Sequence, residues 1–236
     1  MAEPATDAAP VAAGPVQTFR DPRNVQRWLV VALGAYIVAG IVVTAYRVLD
    51  LRLIEALRTG AVADMAQWRT EAVTISTRLY VAGRARALIF VAAAIPFMIW
   101  LYRANRNARA LGASGMRYSP GWAVGWNFVP FANLFMPALV MREIWRGTYH
   151  LSPGQTQSGG WLIPVWWCLW LATLATGEAA AVILKQAVGN IERAEIGSAL
   201  ALIQGFLQIA LGLVVIVLTR RLSETQRRQT AIAEIF

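Results

Sequence analysis

Residues 119–146 read SPGWAVGWNFVPFANLFMPALVMREIWR, a stretch apolar enough to enter a membrane yet built unlike a spanning helix. Pro120, Pro130 and Pro137 each lack a backbone donor, and a proline inside a helix costs about 3 kcal/mol. Asn127 and Asn133 bring side-chain amides that need partners in hydrocarbon. Backbone broken in this way persists at membrane depth only where protein or trapped water covers it. The stretch therefore predicts a re-entrant or interfacial segment, with the rest of the chain supplying its cover.

The flanking sequence is suited to that task. The chain has 236 residues, is 57% hydrophobic with mean hydropathy +0.48, and carries four apolar runs near the length of a span. The expected fold is an all-α polytopic membrane helix bundle with four full spans, at about 28–46, 80–102, 161–184 and 199–219, plus the broken segment 119–146. Five full spans is the alternative. In domain terms this gives a disordered Ala/Pro-rich tail over 1–19 with no signal-peptide pattern, a transmembrane helical domain over 20–222 and a cytoplasmic tail over 223–236.

The net charge of +9 comes from arginines at the ends of the apolar runs. That placement points to positive-inside topology and an anionic bilayer, not to nucleic acid. The arginine- and alanine-rich composition fits a bacterial protein of the cytoplasmic (inner) membrane. Cys168 is the lone cysteine, so no intrachain disulfide forms, and the lone histidine, His150, has no metal-ligand spacing around it.

Residues 47–86 are charged, with Leu51, Ile54 and Leu57 at helical spacing and a break signal at Gly60. They predict one or two amphipathic helices outside the hydrocarbon. The apolar run 87–102 covers only about 24 Å, so its helix is expected to start nearer Tyr80. That leaves Arg84 and Arg86 to snorkel or find a partner. In the last two spans, Thr173, Gly177 and Ala181 form a ridge of small residues at spacing four, and Ser198, Gly205 and Gly212 one at spacing seven. Gln204 and Gln208 lie one turn apart, suited to holding helices together.

Charge counting does not settle the topology. Four spans with the N-terminus inside and five with it outside both place 13 of the 22 Lys and Arg inside. Other physics favours four: Arg84 and Arg86 then lie at the outer end beside Glu178, the one acid within a clear span, and can partner it. Nine of the ten tryptophans then gather toward one side, where aromatic belts form.

Within Trp100 to Trp145, the residues Trp100, Arg103, Asn107, Gly121, Trp122, Pro130, Asn133, Pro137, Glu143 and Trp145 follow a recognisable pattern. The run resembles a bacterial membrane family catalogued as domain of unknown function 4328, over roughly residues 80–220. Asn127 departs from that pattern, which has an aromatic residue there. The resemblance implies a multi-span bacterial membrane protein and implies no activity.

Chemistry is sparse in this sequence. No Ser-His-Asp set, phosphate loop, catalytic carboxylate pair or metal cluster occurs, so the expectation is a protein that is not an enzyme, with no cofactor and no metal. Ligand or partner candidates are Trp122, Trp126, Asn127, Pro130, Asn133, Pro137 and Trp145. The asparagines have an alternative role, satisfying carbonyls freed by the prolines. Glu178, Gln204, Gln208, Arg84 and Arg86 are the intramembrane polar candidates. Arg103, Arg106 and Arg109 are candidates for gripping anionic lipid. Arg142, Glu143 and Arg146 read as an interfacial ion pair. The expected function is a scaffold or sensor that binds lipid, a protein partner or another copy through its Trp/Pro-rich face. The alternative is a small transporter or channel with a polar path through Asn133, Gln208 and Glu178.

Overall fold

Every regular element among the described residues, 18–150 and 159–233 of the computed structural model, is helical. The elements are α1 (Arg23–Thr59), α2 (Met65–Ala110), α3 (Pro120–Gly125), α4 (Met136–His150), α5 (Leu162–Lys185) and α6 (Ile191–Ala233), with a 3-10 turn at Ala132–Leu134 between α3 and α4. The four long ones, α1, α2, α5 and α6, are long and apolar enough to cross a membrane. Residues 1–17, 151–158 and 234–236, which include most of the Ala/Pro-rich tail, most of the Ser/Gly/Gln-rich loop and the last of the C-terminal tail, lie outside the described residues.

The helices outrun their apolar runs. No proline or glycine interrupts the chain between Tyr46 and Gly60, so the expected separate amphipathic helix is instead the continuation of α1. Gly60 ends it in a left-handed conformation (φ 70°), its N–H and that of Ala61 closing on the carbonyls of Leu57 and Ala56. The Asp64 carboxylate then caps α2 by accepting from Ala66 N at 2.8 Å and Gln67 N at 3.3 Å. Thus α2 begins at Met65, well before Tyr80. Likewise α6 runs on through the C-terminal arginines as unbroken helix to Ala233.

Packing follows the small residues. The seven-residue stripe of α6 is its seam with α1: Ser198 Oγ donates to Asp50 at 2.7 Å, Gly205 lies against Thr44, and Gly212 lies against Ile37. A β-carbon at Gly212 would stand 2.8 Å from Ile37 Cγ1, closer than side chains pack, so only glycine permits this approach. On its other side α6 meets α5, where Gly177 receives the Gln204 side chain. α1 also packs along α2, so the order across the bundle is α5, α6, α1, α2.

The broken segment returns to the side from which it starts. Tyr118 N, just before α3, donates to Glu143 Oε1 on α4 at 3.0 Å, so the two feet of residues 119–142 touch and a fifth full crossing is ruled out. The densest core lies at this end, where Leu29, Trp100, Leu101, Ile144, Leu218 and Leu222 from α1, α2, α4 and α6 converge.

Candidate functional site

At the foot of the hairpin, polar side chains join four helices. Gln226, 1% exposed, donates to Ala104 O on α2 at 2.8 Å and to Thr148 Oγ1 on α4 at 3.2 Å. Trp100 Nε1 donates to Ser223 Oγ (2.9 Å), which donates to Gln26 Oε1 (3.0 Å), while Gln26 Nε2 donates to Thr219 Oγ1 (3.1 Å). Asn107 grips the backbone of Arg20 at two points, accepting from its N–H at 2.9 Å and donating to its carbonyl at 2.8 Å. Arg109 donates to the carbonyls of Met116 (3.0 Å) and Tyr118 (2.9 Å) and to Asn105 Oδ1 (3.2 Å), holding the approach to α3.

This alters two expectations. Glu143 forms no ion pair with Arg142 or Arg146 among the described residues; its carboxylate holds Tyr118 N instead. Arg109 spends its donors on loop carbonyls, which removes it as a free lipid contact, while the half-buried Arg103 and Arg106 have no ion partner among the described residues. Gln26, Asn105, Thr148, Ser223 and Gln226 are absent from the sequence candidates. Polar residues just beyond a span read as a solvated face, and only the helix-to-helix contacts reveal that these are buried.

Above the foot stands the aromatic hairpin. Trp167 Nε1 donates to Leu134 O at 3.0 Å, and the adjacent Trp166 ring lies 6.4 Å from Phe97. Phe97 is seven residues, or about 10 Å of helix, deeper than the Ala104 level of the foot. The tip thus reaches inward along α5. It turns at Pro130 and Phe131, where Ala132 N closes on Pro130 O at 2.7 Å and Phe131 takes φ 62°, ψ −43°. This is the rarer, strained form of γ-turn, which costs on the order of 1–3 kcal/mol in a residue with a side chain. It displays Phe131 at 81% and Phe128 at 73% exposure, and Trp122 and Phe135 of the same segment are exposed as well.

The prolines and asparagines of the segment divide their work. Pro120 starts α3 in its first turn behind the Ser119 cap, Pro130 sits exposed at the turn and Pro137 is buried at the start of α4. Asn127 Nδ2 donates to the carbonyls of Ala123 (3.2 Å) and Val124 (3.1 Å), satisfying the end of α3. The half-buried Asn133 makes no side-chain hydrogen bond among the described residues. Trp126 stacks obliquely on Trp122 at 4.9 Å, and Trp145 stacks on Tyr149 at 4.6 Å inside the core. Trp145 is therefore a foot residue and not part of the displayed face.

A second polar site lies far from the hairpin. Arg86 Nη1 on α2 donates to Gln208 Oε1 on α6 at 2.6 Å. Gln208 lies ten residues from Ser198 and eleven from Thr219, the polar contacts at the two ends of the α1–α6 seam, which puts the pair near mid-depth. The expected pairing of Glu178 with Arg84 or Arg86 does not form. Glu178 is exposed on α5 and has no ion partner among the described residues, while Arg84 lies 5.0 Å over the Tyr80 ring. The reason is helix order: α6 stands between α5 and α1, and the carboxylate points away from the seam that Arg86 enters. Asn133, Gln208 and Glu178 thus lie at the hairpin, the α2–α6 contact and the outer face of α5, and do not converge.

Comparison with known families matches the model described as Domain of unknown function (DUF4328) to residues 60–224, from the glycine that ends α1 to well along α6. Nothing matches among curated proteins or among solved structures.

Proposed function

We propose that this chain, which belongs to the DUF4328 family, is a non-enzymatic scaffold or sensor of the bacterial inner membrane whose aromatic hairpin reads the bilayer interface. The observation that carries the reading is the contrast within the hairpin: feet locked by Glu143 and Arg109, and a strained tip that holds Phe131 outward. Strain of that kind persists where surrounding structure enforces it and marks segments that do something with the displayed side chain. Because the segment returns to its starting side, 13 of the 22 Lys and Arg fall on the side of the α1 start, which supports a cytoplasmic reading of that side and of the C-terminus.

The test uses single cysteines replacing Phe128 and Phe131 in a Cys168→Ser background, spin-labelled in bilayers. Collisions with oxygen and shielding from an aqueous nickel chelate are expected at both, shifting when saturated acyl chains replace unsaturated ones. Full exposure to the chelate would overturn insertion, and an unchanged signal across lipids would overturn sensing. A second reading, transport, is favoured by one observation, the Arg86–Gln208 pair near mid-depth, since charges there are expensive and commonly functional. Proteoliposome flux that is absent, or equal in the unmodified chain and Arg86→Gln, would count against it.

A further inference from the structure

Between the start of α1 and the far part of α6 lies a cleft of about 430 Å³ into which Arg23, Arg27, Arg220 and Arg227 project. Asp21 takes two of them, at 3.5 Å from Arg23 and 3.9 Å from Arg227. Arg27 and Arg220 are both exposed and have no carboxylate within ion-pair distance among the described residues. Glu224 is the acid lining the cleft, so with Asp21 counted the four guanidiniums leave an excess of two positive charges. The floor is fixed, because Gln26 and Ser223 are already bound to Thr219 and Trp100. A cationic recess with a rigid polar floor suits a phosphate, which guanidinium groups grip bidentately.

The groove continues away from the cleft in a different character. On α1, Arg27, Gly34 and Ile41 are seven apart and share a face; on α6, which runs the other way, Arg220, Leu213 and Phe206 do the same. The contacts of Gly212 with Ile37 and Gly205 with Thr44 put these two strips side by side, arginine beside arginine and apolar beside apolar. Ile41, Leu213 and Phe206 are all exposed, and a β-carbon at Gly34 would meet nothing within 4 Å, leaving a notch in the wall. α5 packs on the opposite flank of α6, so nothing else among the described residues covers the strip. Trp28, 70% exposed and next to Arg27 in the chain, marks the headgroup level.

We propose that this groove is a binding site for an anionic phospholipid, its phosphate between Arg27 and Arg220 and one acyl chain along Gly34, Leu213 and Phe206. A free phosphate shares the headgroup chemistry but has no use for the apolar strip. The site is separate from the aromatic hairpin, so its failure leaves the sensor reading standing.

The test is lipid retention by the purified full chain, read by native mass spectrometry after exchange between dioleoyl phosphatidylglycerol and dioleoyl phosphatidylcholine. Preference for phosphatidylglycerol is expected, falling about fivefold in Arg27→Gln and again in Arg220→Gln. Arg142→Gln, an exposed arginine elsewhere, serves as the charge control and is expected to retain the preference. Gly34→Leu keeps every charge, fills the notch and is expected to weaken retention of the lipid. Equal losses in the Arg142→Gln control, or no loss in the double variant with an unchanged melting temperature, would overturn the site. Full displacement of the lipid by millimolar inorganic phosphate, with Gly34→Leu indistinguishable from the unmodified chain, would overturn the lipid as the ligand.

Discussion

At the foot of the hairpin each buried amide is held from two or more directions, whereas near mid-depth the guanidinium of Arg86 has a single hydrogen bond among the described residues, to Gln208. Both sites are polar and both join helices distant in sequence. The chain of Gln26, Trp100, Ser223, Thr219, Thr148 and Gln226 knits α1, α2, α4 and α6 through neutral side chains that bond one another and the backbone, so removing one strands its partners in the core. The Arg86 site places a charge against one neutral amide where charge is expensive. The first has the character of construction, and the second of a group kept for a purpose other than stability.

The largest effect should come from Gln226→Leu. It leaves Ala104 O and Thr148 Oγ1 without their donor, for a loss of about 3 kcal/mol, seen as a lower melting temperature in detergent. Next, Arg86→Met removes a charge that costs about 2.5–3.5 kcal/mol at the centre of a span, so a gain in melting temperature is expected; a loss as large as that of Gln226→Leu would erase the distinction between the sites. Phe131→Gly should gain about 1 kcal/mol by releasing the positive-φ strain, while Phe131→Ala should show no such gain. Smallest of all, Asn133→Leu should stay within about 0.5 kcal/mol, since its amide has no side-chain hydrogen bond to lose among the described residues; a drop comparable with Gln226→Leu would assign Asn133 to the locked part.

Much of the architecture can be read from the chain itself. Three prolines in an apolar stretch forecast the break between α3 and α4, and Gly60 the turn after α1; the stripe of Ser198, Gly205 and Gly212 is legible as a repeat, though not which helix fills it. The lengths of the helices could not be read the same way. Hydropathy marks where lipid ends, not where hydrogen bonding ends, and nothing in residues 47–59 or 220–233 stops a helix. The partner of Arg86 was hidden for another reason. A 122-residue separation joins it to Gln208, and which face of α6 turns toward α2 depends on the packing of all four long helices. For Glu178 the sequence supplies depth alone, and depth without helix order is half of a position.

Asn107 holds Arg20 by its backbone, taking the N–H and giving to the C=O of the same residue. An amide that reads only main-chain atoms is indifferent to which side chain stands at position 20, with proline, which has no N–H, the exception. It is not indifferent to spacing: inserting or deleting one residue between Arg20 and the start of α1 at Arg23 would carry a different peptide unit into the clasp or pull the strand from it. This junction should thus tolerate substitution freely and insertion or deletion hardly at all, a tether measured in residues and not in chemistry.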